Sequence, residues 1–195
     1  MPASDVSIPP KRCFRRFRRD TCGSAAVEFS LIAVPFFALL FAIIETGLVF
    51  FGGQVLETAI QDAGRKIYTH QLQDQGLTAA QAKAQFMTDV CGLASTLMNC
   101  TATGGVGFVE VDVKYYPAGT AVTITDPING AGNYDSSGFS FTLPPPGSTG
   151  TVVVRGFYQW PLVVTGLGYN IANIGRGTAN GKRLLAATMA FHVEP

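Results

Sequence analysis

The chain has 195 residues and a net charge of +1, with 14% charged and 47% hydrophobic side chains. That length leaves room for one membrane helix and one small soluble domain, and it excludes a large multidomain machine. The average charge hides an asymmetry. Residues 1–23 hold six basic side chains (Lys11, Arg12, Arg15, Arg16, Arg18, Arg19) against Asp5 and Asp20, a net of +4, which leaves residues 24–195 at −3.

This basic leader, residues 1–23, directly abuts an apolar run over residues 24–53. Lys and Arg beside a spanning helix hold that end on the cytoplasmic side, so the N-terminus is expected inside and residues 54–195 outside. Basic clusters also bind nucleic acid. Here no nucleic-acid module follows, and topology explains the charge.

From Phe29 to Gly53 only Glu45 is charged. As a helix these residues run about 37 Å at 1.5 Å each, against a bilayer core of about 30 Å, so the run spans with some tilt. A cleaved secretory signal has an apolar region of only about 7–15 residues, which fits less well. A plain signal anchor is the other simple reading. Pro35 removes a backbone donor inside the span and is expected to bend it. Glu45 lies about 25 Å beyond Glu28 along the axis, near the outer interface. There it is either solvated or paired with another subunit.

Past the run the helix is expected to continue. Val55, Leu56, Ala59, Ile60, Ala63 and Ile67 recur at three- and four-residue spacing and form a core-facing stripe. A turn at Asp74-Gln75-Gly76 precedes Thr78, an N-cap for a second helix from Ala79 to about Met98. Its apolar face is Ala82, Phe86, Val90, Leu93 and Leu97. From Val106 to Tyr116 the chain alternates, with Val109, Val111 and Val113 opposite Glu110, Asp112 and Lys114, as a half-buried strand does. A short strand is expected at Val122–Thr125. Residues 126–150 read as a long surface loop with one short strand at Phe139–Thr142. Thr151–Gln159 and Leu184–Val193 are the remaining strand candidates, and residues 54–195 are long enough to bury a core of their own.

Four cysteines form two pairs. Cys13 and Cys22 lie in the leader, on the reducing side, and are expected free. Cys91 and Cys100 face an oxidising compartment under the topology above. On one uninterrupted helix they would be about 13 Å apart, too far for a disulfide, which needs Cα atoms within about 7 Å. A disulfide between them therefore requires the helix to end near Gly92 or Met98. The alternative is two buried thiols.

Catalytic patterns are scarce. His70 and His192 have no zinc-type spacing, no Gly-x-Ser-x-Gly nucleophile motif occurs, and the glycine clusters match no phosphate or dinucleotide fingerprint. No enzyme activity, cofactor, metal, nucleic acid or small-molecule substrate is expected. Trp160 is expected in the core, with an exposed contact site beside aromatics as the alternative.

The leader junction is more specific. Gly23 closes the basic segment, Ser24 and small residues follow, then Glu28 and Phe29. An ionisable residue at a membrane edge is a functional candidate. The arrangement resembles a class III signal peptide, with a cut between Gly23 and Ser24 that places Glu28 fifth and Phe29 sixth in the mature chain. Residues 15–29, Pro35-Phe36-Phe37, Ile44-Glu45, Gln54–Glu57, Tyr158-Gln159-Trp160-Pro161 and the closing residues 186–195 resemble a TadE-like protein, a minor pilin or pseudopilin of the Flp/Tad tight-adherence pilus system. The resemblance implies processing by a prepilin peptidase, assembly contacts through Glu28 and Phe29, and partners among other Tad pilus subunits and assembly proteins. It implies a bacterial inner-membrane, single-pass protein with a cytoplasmic N-terminus and a periplasmic domain. The expected fold is α+β, pilin-like: a basic leader at 1–23, a transmembrane helix at 24–53 and a domain at 54–195 with a second helix and an antiparallel sheet. An unprocessed anchored binding module and a tethered periplasmic enzyme are the competing readings.

Overall fold

The computed structural model describes residues 23–100, 107–167, 169–178 and 181–194. Cys13, Cys22 and the basic side chains of the leader lie outside them. Helix α1, Ser24–Tyr68, runs 45 residues without interruption. Pro35 lies inside it, where its missing N–H leaves the carbonyl of Leu31 without its helical donor. Arg65 and Lys66 in the last turn complement the helix dipole. The chain then reverses through His70, whose φ is 58°, and Gly76, whose φ is 63°.

Contacts divide the chain into two units, 1–41 and 42–195. The described part of the first is the opening stretch of α1. Its apolar side chains, Phe29, Leu31, Ile32 and Phe36 among them, are exposed. Ser30 Oγ donates to Val27 O at 2.9 Å, so its hydroxyl is satisfied within the helix. α1 is long and apolar enough to cross a membrane.

The second unit is an α+β domain. Along α1, Ala42, Glu45, Val49, Gly52, Leu56, Ala59, Ile60, Ala63 and Ile67 are buried, at mostly three- and four-residue steps. Helix α2, Ala79–Ala94, starts at Thr78, which with Gln81 forms a capping box. Its buried residues are Ala82, Phe86, Val90 and Ala94, while Leu93 is exposed, contrary to the sequence expectation. The four buried positions are evenly spaced by four, which turns Leu93 just off the stripe. The helix also ends at Ala94, earlier than Met98.

Strands β1 (Val109–Pro117), β2 (Gly150–Pro161) and β3 (Lys182–Val193) form an antiparallel sheet in the order β1-β2-β3. Val154, at its centre, lies opposite Val113 on one side and Met189 on the other. α1 packs on one face with very close approach. A Cβ at Gly156 of β2 would collide with the Ile60 side chain, one at Gly64 would lie 2.8 Å from Met189 Sδ, and one at Gly52 would lie 2.8 Å from the Trp160 ring. Glycine at these places lets helix and sheet backbones approach closely.

The other face of the sheet is covered as well. Ile128, Tyr134 and Phe139 of the long connection between β1 and β2 pack on Phe157, Ile174 and Leu184. This makes β2 a strand buried on both faces and apolar over most of its length. It also corrects the reading of β1 as half-buried, because Asp112, assigned to the open face, is only 1% exposed. The expected strand at Val122–Thr125 is absent. Those backbone groups serve side chains instead: Tyr116 Oη donates to Thr123 O, and Arg155 donates to Thr125 O. At Phe139–Thr142 no named strand forms, only an isolated parallel bridge between Val113 and Phe141. Val113 N donates to Ser140 O and Thr142 N to Val113 O, both at 2.8 Å. This pairing shields the free edge of β1.

Candidate functional site along the anchoring helix

The residues singled out at the junction open α1. Gly23 is exposed with open space around it, and α1 begins at Ser24. One turn on, Glu28 and Phe29 are both exposed and consecutive. Thus the ionisable group and the aromatic ring stand on adjacent positions of an apolar, outward-facing helix surface. A carboxylate there is chemically suited to meet a cation or a donor from another molecule, at the same level as a large apolar anchor.

Glu45 departs from the solvated expectation. It is 8% exposed, so it is not a solvated residue, and it has hydrogen-bond partners within its own chain. Its carboxylate accepts the backbone N–H of Val163 through Oε1 and that of Val164 through Oε2 at 3.2 Å. Val164–Leu167 form one 3-10 turn, so Glu45 caps the start of that turn from the side of α1. One turn of contact away, Thr46 Oγ1 donates to Ala42 O at 2.7 Å and lies 3.2 Å from Tyr169 Oη. The loop following β2 is therefore tied to α1 by two polar contacts at adjacent residues. Nothing local to Glu45 predicts this, since the partners come more than a hundred residues later.

Cys91 and Cys100 form a disulfide with Cα atoms 5.9 Å apart. The geometry needs the helix to stop between them, and it does. Ser95 caps α2 with its N–H donating to Cys91 O, and Leu97 and Met98 both turn back to Ala94 O. The bridge fixes the end of α2 to the segment that leads into β1.

A second polar group, unseen in the sequence, lies between sheet and covering loop. Arg155 donates to Asp112 Oδ2 through Nη2 and, at 3.1 Å, through Nε. Its Nη1 donates to Thr125 O at 2.6 Å, and Asp112 Oδ1 accepts from Ser140 N–H at 2.8 Å. The guanidinium also lies 5.2 Å from the Phe157 ring centroid and 5.7 Å from that of Phe139. Beside it Tyr134 Oη donates to Glu110 at 2.6 Å. Burial first, and then the hydrogen bond and charge of Glu110, push the Tyr134 hydroxyl well above the usual phenol range, so it stays a donor. These groups are mutually satisfied and fasten the loop to the sheet. The two opposite charges at facing positions of β1 and β2, Asp112 and Arg155, were the available signal, visible only once the register is known.

Among the described residues no group of three or more His, Cys, Asp or Glu is placed to hold a metal ion. Trp160 is half-buried rather than fully enclosed, with its ring 5.9 Å from that of Tyr158.

α1 is long and apolar enough to cross a membrane, and Glu28 and Phe29 stand side by side near its start. Residues 23–65 match the family model of the TadE-like proteins. The match begins at Gly23 and ends three residues before the end of α1, so it covers the junction, the apolar stem and the helix face that carries the domain. It is consistent with a protein of the Tad pilus system. The resemblance seen at Tyr158–Pro161 and in the closing residues lies beyond the matched segment. Neither curated proteins nor solved structures returned a match.

Proposed function

We propose that this protein is a minor pilin or pseudopilin of a Tad-type pilus, a structural or assembly component of the bacterial inner membrane and not an enzyme. The match of residues 23–65 to the TadE-like family carries the reading, because it starts at the residue where a prepilin would be cut. In this reading the basic leader stays cytoplasmic and is removed by a prepilin peptidase between Gly23 and Ser24. α1 then spans the membrane and the domain lies in the periplasm, where its disulfide persists. Glu28 and Phe29 make the contact with neighbouring pilus subunits.

Intact-mass measurement of the membrane-extracted protein tests this. The expected mass is that of a chain beginning at Ser24, and Gly23→Leu should retain the leader, because a branched side chain obstructs an extended peptide in a protease cleft. A full-length wild-type chain in a strain with active peptidase would overturn the reading.

A further inference from the structure

The loop after β2 carries an anomaly. Val163 is 86% exposed beside Glu45 of α1, and a contiguous exposed apolar patch, unlike a single side chain, marks a membrane or partner surface. The apolar side chains of α1 nearby in sequence to the loop's anchor, Ile43, Ile44, Leu48, Phe50 and Phe51, are exposed as well. They belong to the helix that is long and apolar enough to cross a membrane.

The backbone tells the same story. In water, the N–H groups of an exposed turn can be left to solvent. Here those of Val163 and Val164 are both taken by Glu45, and the nearby Tyr169 hydroxyl is met by Thr46. Internal satisfaction of backbone groups is what a non-helical segment needs where water is scarce.

We propose that the turn at residues 162–167 is a second membrane element of this protein. It enters the boundary between headgroups and acyl chains on the domain's side of the bilayer, with Val163 as its apolar tip and Glu45 satisfying its backbone. The occupant of this surface is lipid. The domain thereby has a second point of contact with the bilayer besides α1. This inference rests on the reading of α1 as a membrane span, and the experiment separates the two.

The full-length chain, with Cys13→Ser and Cys22→Ser, is placed one copy per disc in nanodiscs of phosphatidylethanolamine and phosphatidylglycerol. Single cysteines are introduced at three positions, Val163→Cys, Leu39→Cys and Gln75→Cys, and labelled without reduction with an environment-sensitive fluorophore. Gln75 is exposed in the turn after α1 and reports bulk water. Leu39 reports the span. The label at position 163 is expected to be quenched several-fold more strongly than that at 75 by lipid spin-labelled near the headgroup, and to be protected from iodide. Iodide quenching at 163 equal to that at 75, with Leu39→Cys quenched by lipid, overturns the proposal and leaves the span intact. No lipid quenching at Leu39 overturns both. Protection at 163 that appears only with two copies per disc overturns it in favour of a contact between protein chains.

Discussion

The Glu45 carboxylate accepts backbone N–H groups from Val163 and Val164, 118 and 119 residues further along the chain. Helix and loop are thus joined by one side chain that is buried without a formal countercharge among its described hydrogen-bond partners. Glu45→Ala leaves the buried Val164 N–H and the part-buried Val163 N–H without this acceptor, and an unsatisfied buried donor costs about 1–3 kcal/mol. The variant is expected to lose about 2–3 kcal/mol in denaturant unfolding of the detergent-solubilised chain. Glu45→Gln keeps one carbonyl acceptor and should lose about 1 kcal/mol. Wild-type stability for the alanine variant would show that the carboxylate does not hold the turn.

Asp112 and Arg155 test a different balance. Removing one member of a buried pair strands the other charge, at a cost of about 3–5 kcal/mol, whereas apolar replacement of both is far milder. Asp112→Ala and Arg155→Met are each expected to destabilise the domain strongly, and the double variant less than either single change. Urea unfolding of all four chains gives the coupling. Additive losses would mean that the pair is not energetically linked.

The strand alternation at residues 109–114 placed β1 correctly but misread Asp112, and the reason is physical. Period-two patterning reports whether one face is apolar. It is silent about a polar face covered by a loop that brings its own hydrogen-bonding groups, as Ser140 and Thr125 do here. The stripe from Leu56 to Ile67 was legible for the converse reason, since exposed polar side chains flank it. Its extension back through Val49, Glu45 and Ala42 was not, because there the exposed face is apolar too and contrast vanishes. The cysteine pair was suggested by the compartment that the topology implies, and distance added the condition, met at Ala94, that the helix end between them. Glu28 and Phe29 were singled out through the junction pattern, which is local sequence, and the structure adds only that both are exposed.

The helix–sheet contact predicts opposite outcomes for two glycines. A Cβ at Gly156 would meet the branched Ile60 side chain next to a tightly paired strand, and overpacking of this kind costs about 1–3 kcal/mol. Gly156→Ala should destabilise by about that much, with partial recovery when Ile60→Val is added. At Gly64 the near atom is the sulfur of Met189, a flexible side chain that moves readily. There Ala gains up to about 1 kcal/mol of helix propensity. Gly64→Ala is therefore expected to be neutral or stabilising by thermal unfolding, and a large loss would show that α1 sits more tightly than these contacts indicate.

Tyr134 gives a pH signature. Its hydroxyl titrates above its ordinary value of 10.0 in the folded chain, chiefly through burial. A raised pKa means that the native state holds its proton where the unfolded state releases it. The stabilisation is complete below pH 10 and declines as pH rises beyond it. The wild-type domain should lose stability above pH 10 more steeply than Tyr134→Phe, measured by urea midpoints across the alkaline range. Parallel slopes would remove Tyr134 from the account.

Glu28 carries the assembly prediction. A cut after Gly23 frees an amine at Ser24, which at a pKa of about 7.7–8.0 is largely positive at neutral pH. On the proposed reading, the pilin resemblance implies that Glu28 of one subunit meets this amine of the next, a contact that would select partners as well as hold them. Glu28 lies in the unit at 1–41, apart from the packed domain that begins at Ala42. Glu28→Ala is therefore expected to leave the domain folded and the chain in the membrane fraction while abolishing surface pili. Glu28→Asp, one methylene shorter, should retain a reduced number. Fractionation, protease resistance of the domain and a pilus count by electron microscopy are made on the same strains. Normal piliation with Glu28→Ala would reduce this residue to a recognition mark for the peptidase, and loss of the protein from the membrane would assign it to insertion instead.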